Sequence, residues 1–135
     1  MRKISVLIIT SRFEDEAELK ELLRDTSWEL EAVPRMEDAA AALKAAAVPM
    51  LLFDGDTAGP HWREKMKALA ISKRNTCVIL LTNVSDPYLW EEVVQHGGFD
   101  LLTRPFRKEQ VLSTLLFAYA HCRTPWPKTI AGAVT

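Results

Sequence analysis

The sequence lacks the features that mark several large classes of protein. Only two of its 135 residues are cysteine, Cys77 and Cys122, and their wide spacing matches no metal-binding motif. We therefore expect two reduced thiols in a cytoplasmic protein. The formal net charge of −1 at pH 7 gives no electrostatic reason to expect nucleic acid or a membrane surface as a partner.

Long apolar runs are missing as well. Residues 4–10 are too few for a membrane span or the hydrophobic region of a secretory signal, and no small-residue cleavage site follows them. Hydrophobic residues make up 48% of the chain and charged residues 26%, as in an ordinary soluble globular domain. The length is that of one domain with a core of its own.

What the sequence does contain is a regular alternation of apolar stretches and helical patterns. The central stretch, residues 50–54, is uniformly apolar until it ends at Asp54, as expected of a strand buried on both faces. The other predicted strands are residues 4–9, 28–32, 77–82 and 99–102. The predicted helices are residues 14–25, 35–47, 60–75, 87–96 and 106–122.

This alternation predicts an α/β fold with a five-stranded parallel sheet and helices on both faces. Right-handed crossovers favour the doubly wound, flavodoxin-like strand order 2-1-3-4-5. That order places Thr10 and Asp54 at the crevice where such sheets bind ligands. Residues 1–122 would form the domain, and residues 123–135, which contain two prolines, an extended or disordered tail.

Three features in register resemble the receiver domain of bacterial two-component response regulators, over residues 3–122. Asp54 ends the third strand, where that family has its phospho-acceptor aspartate. Thr82 ends the fourth strand, where the family has a threonine or serine. Residues 97–106, Gly-Gly-Phe-Asp-Leu-Leu-Thr-Arg-Pro-Phe, are similar to the family's Gly-Ala-Asp-Asp-Tyr-Leu-Thr-Lys-Pro-Phe.

The resemblance also implies a Mg²⁺ ion, which the family holds with two acids directly after the first strand. In this chain those positions are Thr10 and Ser11. Glu14 and Asp15 come too late, and we expect them to point along the helix. Because Mg²⁺ is usually held through carboxylates, Asp54 alone makes a poor cage, and we expect neither a metal ion nor another cofactor.

Three other pocket positions also depart from the family pattern. Arg104 replaces a lysine, Asn83 a small residue and Leu101 the aromatic switch residue. Near the acceptor, only a backbone carbonyl close to Asp56 would remain as a metal ligand. The resemblance implies a cis peptide bond before Pro105, and we expect Arg104 to pair directly with Asp54 as the pocket's neutralising charge.

These departures favour an atypical receiver domain that acts as a protein-interaction module in two-component or phosphorelay signalling, without Mg²⁺-dependent phosphorylation and without being an enzyme. The alternative is a working phospho-acceptor that takes a phosphoryl group on Asp54 from a histidine kinase. A third, weaker possibility is a flavodoxin-like binder of small molecules, although the loop after the first strand has no glycine.

The partner surface is predicted from the last two helices. Phe117 falls on a helical wheel opposite the expected core arc of the last helix, and Tyr88 lies off the core arc of the helix before it. The expected core arcs comprise Val111, Leu112, Leu115, Leu116, Ala118 and Tyr119, and Leu89, Trp90, Val93 and Val94. In receivers the face made by the fourth helix, fifth strand and fifth helix is the usual docking surface. We expect a homodimer, or contact with a kinase or effector protein, through Phe117 with Tyr88 near it.

Overall fold

A computed structural model describes residues 3–45, 48–72, 76–84 and 86–123 of the chain, with the backbone alone at residues 71–72 and 122–123. The strands are β1 (Ile4–Ile9), β2 (Trp28–Val33), β3 (Met50–Asp54), β4 (Cys77–Thr82) and β5 (Asp100–Thr103). The helices are α1 (Phe13–Leu22), α2 (Met36–Ala45), α3 (Gly55–Ala58), α4 (Trp62–Ser72), α5 (Pro87–Gln95) and α6 (Lys108–Arg123).

All four strand pairings are parallel, and the order is β2-β1-β3-β4-β5, as predicted. In this register Ile9 lies beside Phe53, Asp54 beside Leu81, and Thr82 beside Thr103. The carboxyl ends of the strands therefore form one edge of the sheet, with β1 and β3 adjacent at its centre.

Apolar side chains cover both faces of the sheet. On one face, alternate strand residues pack with α1 and α6. On the other, the intervening residues pack with α2, α3, α4 and α5. Every residue of β3 is buried, which agrees with its uniformly apolar sequence and central position. Because β3 is fixed on both faces, the backbone that carries Asp54 is held firmly.

The helices differ from the prediction in number. Residues 55–58, read from the sequence as a loop, form the short helix α3 because the Asp54 carboxylate accepts hydrogen bonds from the backbone N–H groups of Asp56 and Thr57. At the other end of the chain α6 continues through Arg123. The predicted tail therefore starts at residue 124 at the earliest, and residues 124–135 lie outside the described part of the chain.

The expected state of the cysteines is wrong for Cys77. This residue lies buried at the start of β4 and is disulfide-bonded. Cys122, the only other cysteine of the sequence, falls in the last turn of α6, where the backbone alone is described. An inference from wide spacing to reduced thiols fails here because spacing along the chain does not determine distance in the fold.

No helix within the described ranges is long and apolar enough to span a membrane.

Gly97 follows α5 with a left-handed φ of 91°, and a Cβ atom there would lie 2.7 Å from Cβ of Ala70 on α4. Gly97→Ala should therefore lower the free energy of unfolding by about 1–3 kcal/mol from backbone strain, with steric overlap adding to the loss. Gly55→Ala is the matched control because its Cβ would meet Leu80 at an ordinary 3.4 Å. Urea unfolding of both variants measures the difference, and equal effects would contradict this role for Gly97.

Candidate functional site

The carboxyl edge of the sheet holds a buried pocket built around two carboxylates and one guanidinium. Asp54 ends β3, Asp15 lies in the first turn of α1, and Arg104 follows β5. Their side chains are 1%, 3% and 9% exposed. We call these three residues the Asp–Arg–Asp triad.

Asp54 is fully engaged by donors from the protein itself. Its Oδ1 accepts from N of Asp56 at 3.3 Å and from Nη2 of Arg104 at 2.9 Å. Its Oδ2 accepts from N of Thr57 at 3.2 Å and from Oγ1 of Thr57 at 2.6 Å. Each carboxylate oxygen therefore receives at least two hydrogen bonds, and the predicted Asp54–Arg104 ion pair is present, through one nitrogen.

Asp15 is the main residue that the sequence interpretation placed wrongly. Instead of pointing along the helix, its carboxylate is buried and receives two bonds from Arg104, Nε to Oδ1 at 2.8 Å and Nη2 to Oδ2 at 2.6 Å. Helical Cα–Cβ bonds tilt toward the N-terminus, so an acid at the third helical position reaches back to the strand end. There Oγ1 of Thr10 donates to Asp15 Oδ2 at 3.1 Å.

The charges of the pocket follow from these contacts. Burial would raise the pKa of Asp54, but the hydrogen bonds from Thr57 and Arg104 outweigh it and hold that pKa below its ordinary value. The pKa of Arg104 is raised, chiefly by its hydrogen bonds to Asp15. The triad thus places one guanidinium between two carboxylates. Arg12, whose Nε lies 3.9 Å from Asp15 on the partly exposed rim, supplies a further positive charge.

Ser11 and Thr57 are hydrogen-bonded to each other beside the triad. The backbone N–H of Ser11 donates to Oγ1 of Thr57 at 2.8 Å, and the two hydroxyl oxygens lie 3.1 Å apart. Since Thr57 gives its own proton to Asp54, the Ser11 hydroxyl is the donor in this second contact. The loop after β1 is therefore tied to α3 directly over the acceptor position. Thr57 was not predicted, because only the formation of α3 brings its hydroxyl back to Asp54.

The remaining predicted residues surround the triad without contacting Asp54 through their side chains. The hydroxyl of Thr82 accepts from N of Val84 at 3.1 Å, and Oδ1 of Asn83 accepts from Nη1 of Arg104 at 3.4 Å. Leu101 packs half-buried against the apolar cluster beneath α4 and α5. The Asp56 side chain is exposed, and Pro105 follows a cis peptide bond, as predicted.

The Mg²⁺ ion implied by the resemblance does not fit these residues. Magnesium needs near-octahedral oxygen ligands at about 2.0–2.1 Å. Here Nη2 of Arg104 lies between the two carboxylates, 2.6 Å from Asp15 and 2.9 Å from Asp54. Across the described part of the chain, no group of three or more histidine, cysteine, aspartate or glutamate side chains could hold a metal ion.

Solved structures that superpose on this chain include receiver domains. The signal receiver domain of an HD domain-containing protein from Pseudomonas fluorescens Pf-5 superposes with a TM-score of 0.78 at 20% identity, over 90% of both chains. A response regulator from Thermotoga maritima gives 0.79 at 16% identity, over 87% of this chain and 98% of that one. The beryllofluoride-activated NtrC4 receiver domain dimer gives 0.75 at 16%, with the same coverage.

No protein-family model matches the sequence, and neither does any curated protein. At 16–20% identity, the structural neighbours establish a shared fold. The chain therefore has the flavodoxin-like fold of response-regulator receiver domains, and its function has to be argued from its own residues.

The triad predicts a pH dependence of stability. Because folding lowers the pKa of Asp54 below about 3.9, its ionised form stabilises the native state above that pH, and the contribution is lost as pH falls through the lower folded pKa. Asp54→Asn should lose up to about 3–5 kcal/mol at pH 7 and less in acid. Urea unfolding between neutral and acid pH measures this, with exposed Asp56→Asn as control. A gap between native and Asp54→Asn that stays constant with pH would refute it.

Proposed function

We propose that this chain is an atypical receiver domain that acts as a protein-interaction module in two-component or phosphorelay signalling, without Mg²⁺-dependent phosphorylation. The observation that carries the proposal is the engagement of Asp54, whose two oxygens already accept hydrogen bonds from Asp56, Thr57 and Arg104. Such a module needs no catalytic step of its own.

Phosphoryl transfer to Asp54 would need both a free oxygen and a cation. The attacking oxygen has to leave its donors, and the incoming group adds about −1.5 to −2 charges. Catalysis of this reaction rests on positioning and electrostatic stabilisation. The nearest cation, Arg104, already makes two bonds to Asp15. Both requirements therefore oppose phosphorylation in the pocket as it is built.

The alternative remains a working phospho-acceptor. Its support is the place of Asp54, a carboxylate with a lowered pKa at the end of β3 in a receiver fold. That function would require Thr57 to withdraw its hydroxyl and Arg104 to turn from Asp15 toward the phosphoryl group. The two functions differ in a single observable, the covalent state of Asp54.

Incubation with acetyl phosphate and Mg²⁺ separates these functions. We expect intact-mass spectrometry to show no stoichiometric addition of a phosphoryl group, since no oxygen of Asp54 is free. Asp54→Asn gives the background for modification elsewhere on the chain. A mass increase in the native chain that is absent from Asp54→Asn would establish the phospho-acceptor instead.

We further propose that a second copy of the chain docks on the face formed by α5, β5 and α6, which corresponds to the predicted fourth helix, fifth strand and fifth helix. Phe117 on α6 is 65% exposed, as expected. It lies one helical turn before His121, whose ring packs against Phe99 next to β5. Phe117 therefore faces the β5 side, where, among the described strands, the edge strand pairs only with β4.

We assign different residues of α5 to this face than the sequence pattern did. Glu92 pairs with Arg63 of α4, so that side of α5 faces α4, and Tyr88 lies about 40° from Glu92 on the helical wheel. Tyr88 is thus turned away from the β5 edge. Trp90 and Val94, which were expected in the core, are 46% and 43% exposed. Each lies about 160° from Glu92 on the helical wheel, so we assign both to the docking face with Phe117.

Leu116 is a further residue for which the core prediction is wrong. It is 59% exposed although its wheel position falls at the margin of the core arc of α6. Tyr119, at the other side of that arc from His121, packs edge-on against Trp28 of β2. These two ring contacts lie on either side of the buried stripe of α6, and Phe117 stays exposed on the side of His121.

Phe117→Arg and Trp90→Arg should each weaken self-association by about thirtyfold or more, because a buried aromatic anchor at an interface contributes about 2 kcal/mol or more. Tyr88→Arg is the control, since Tyr88 is 76% exposed but lies on the side of α5 that faces α4. Sedimentation velocity over a concentration series measures the three variants. A native chain that stays monomeric throughout, or a Tyr88→Arg variant weakened as much as the others, would overturn this face.

A further inference from the structure

We propose that Arg104 is the permanent cation of this pocket: its guanidinium occupies a divalent-cation position between Asp15 and Asp54, and its removal opens that position to a metal ion. The inference rests on the proposed function, since both require that the native pocket binds no metal. It goes further because it assigns the exclusion of metal to one side chain.

The geometry around one nitrogen carries this inference. Nη2 of Arg104 is bonded to a carboxylate oxygen of Asp15 at 2.6 Å and to one of Asp54 at 2.9 Å. Oγ1 of Thr10 lies 3.1 Å from Asp15 Oδ2 and 3.5 Å from Asp54 Oδ2. Oxygens of two acids thus contact one cationic nitrogen, with the Thr10 hydroxyl beside both acids. Metal-length bonds to that position would need each carboxylate to move inward by less than about 1 Å.

The charge balance gives the same result. Asp15 and Asp54 are both nearly inaccessible to water, so neither carboxylate can be neutralised by solvent in place of Arg104. With the guanidinium removed, the two acids must take up a proton or a cation. Arg12 is the nearest other cation, but it is held at 3.9 Å from Asp15 on the partly exposed rim and does not enter between the acids.

Unlike a bound ion, the Arg104 guanidinium is covalently attached to the chain. Its N–H donates to the carbonyl of Thr82 at 2.8 Å, while its side chain reaches Asp15 on α1. The loop after β5 is thus tied to β4 and α1 by one residue. A metal-dependent pocket can be filled or emptied, whereas this arrangement persists at any divalent-ion concentration.

The test is Mn²⁺ binding by Arg104→Ala, with free Mn²⁺ followed by electron paramagnetic resonance. The variant should bind one Mn²⁺ at least about tenfold more tightly than the native chain. Arg63→Ala, which removes the α4 arginine that pairs with Glu92 of α5, should leave the chain without Mn²⁺ binding. Arg104→Ala combined with Asp15→Asn should lose the gained site, which locates it between the two acids.

Arg104→Met keeps the aliphatic packing of the side chain and is tested in parallel, in case the alanine variant does not fold. If both are unfolded without metal, circular dichroism should show Mn²⁺-dependent refolding. Variants that neither bind nor refold with Mn²⁺, beside a native chain that does not bind it, would overturn this inference and leave the proposed function standing. Tight Mn²⁺ binding by the native chain, located by paramagnetic broadening at Asp54, would overturn both.

Discussion

The pocket depends on one constraint: a single guanidinium must satisfy two buried carboxylates. Arg104 meets it by making two bonds to Asp15 and one to Asp54, at distances of 2.6–2.9 Å. Loss of one partner of a buried ion pair typically costs about 3–5 kcal/mol, because the other charge remains buried. The triad therefore fixes the relative positions of α1, β3 and the loop after β5.

The same contacts that stabilise this edge of the sheet engage both carboxylate oxygens of Asp54. In the shared fold, the end of β3 places Asp54 in the crevice where parallel sheets carry their chemistry. Here that carboxylate caps α3, accepts the Thr57 hydroxyl and balances Arg104. A group that holds three parts of the structure together cannot change its bonding without loosening them.

The fold followed from the sequence because strand patterns are local. Uniform apolar runs such as residues 50–54 and 77–82 predicted the central strands, and chain alternation with right-handed crossovers then determined the strand order. The ion pair of Asp54 and Arg104 followed from the family resemblance. The exposure of Phe117 followed from its wheel position, since it lies far from the core arc.

What the sequence could not supply were contacts between elements. Asp15 looked like an exposed acid of a first helical turn, and only the packing of α1 against β1 brings it to Arg104. Trp90 and Val94 looked like core residues because hydrophobicity alone does not show the rotation of α5. The disulfide state of Cys77 was likewise hidden, since separation in sequence carries little information on distance in the fold.

The most direct measurement of the central claim is a titration of the native chain with beryllofluoride and Mg²⁺, followed by amide resonances of Asp54, Thr57 and Thr82 and by the side-chain Nε–H of Arg104. A closed triad predicts that these resonances stay in place and that the Arg104 Nε–H remains protected from exchange with solvent. Saturable shifts of the Asp54 and Thr82 amides, together with loss of that protection, would show that the pocket opens and accepts a phosphoryl analogue, and would contradict the account.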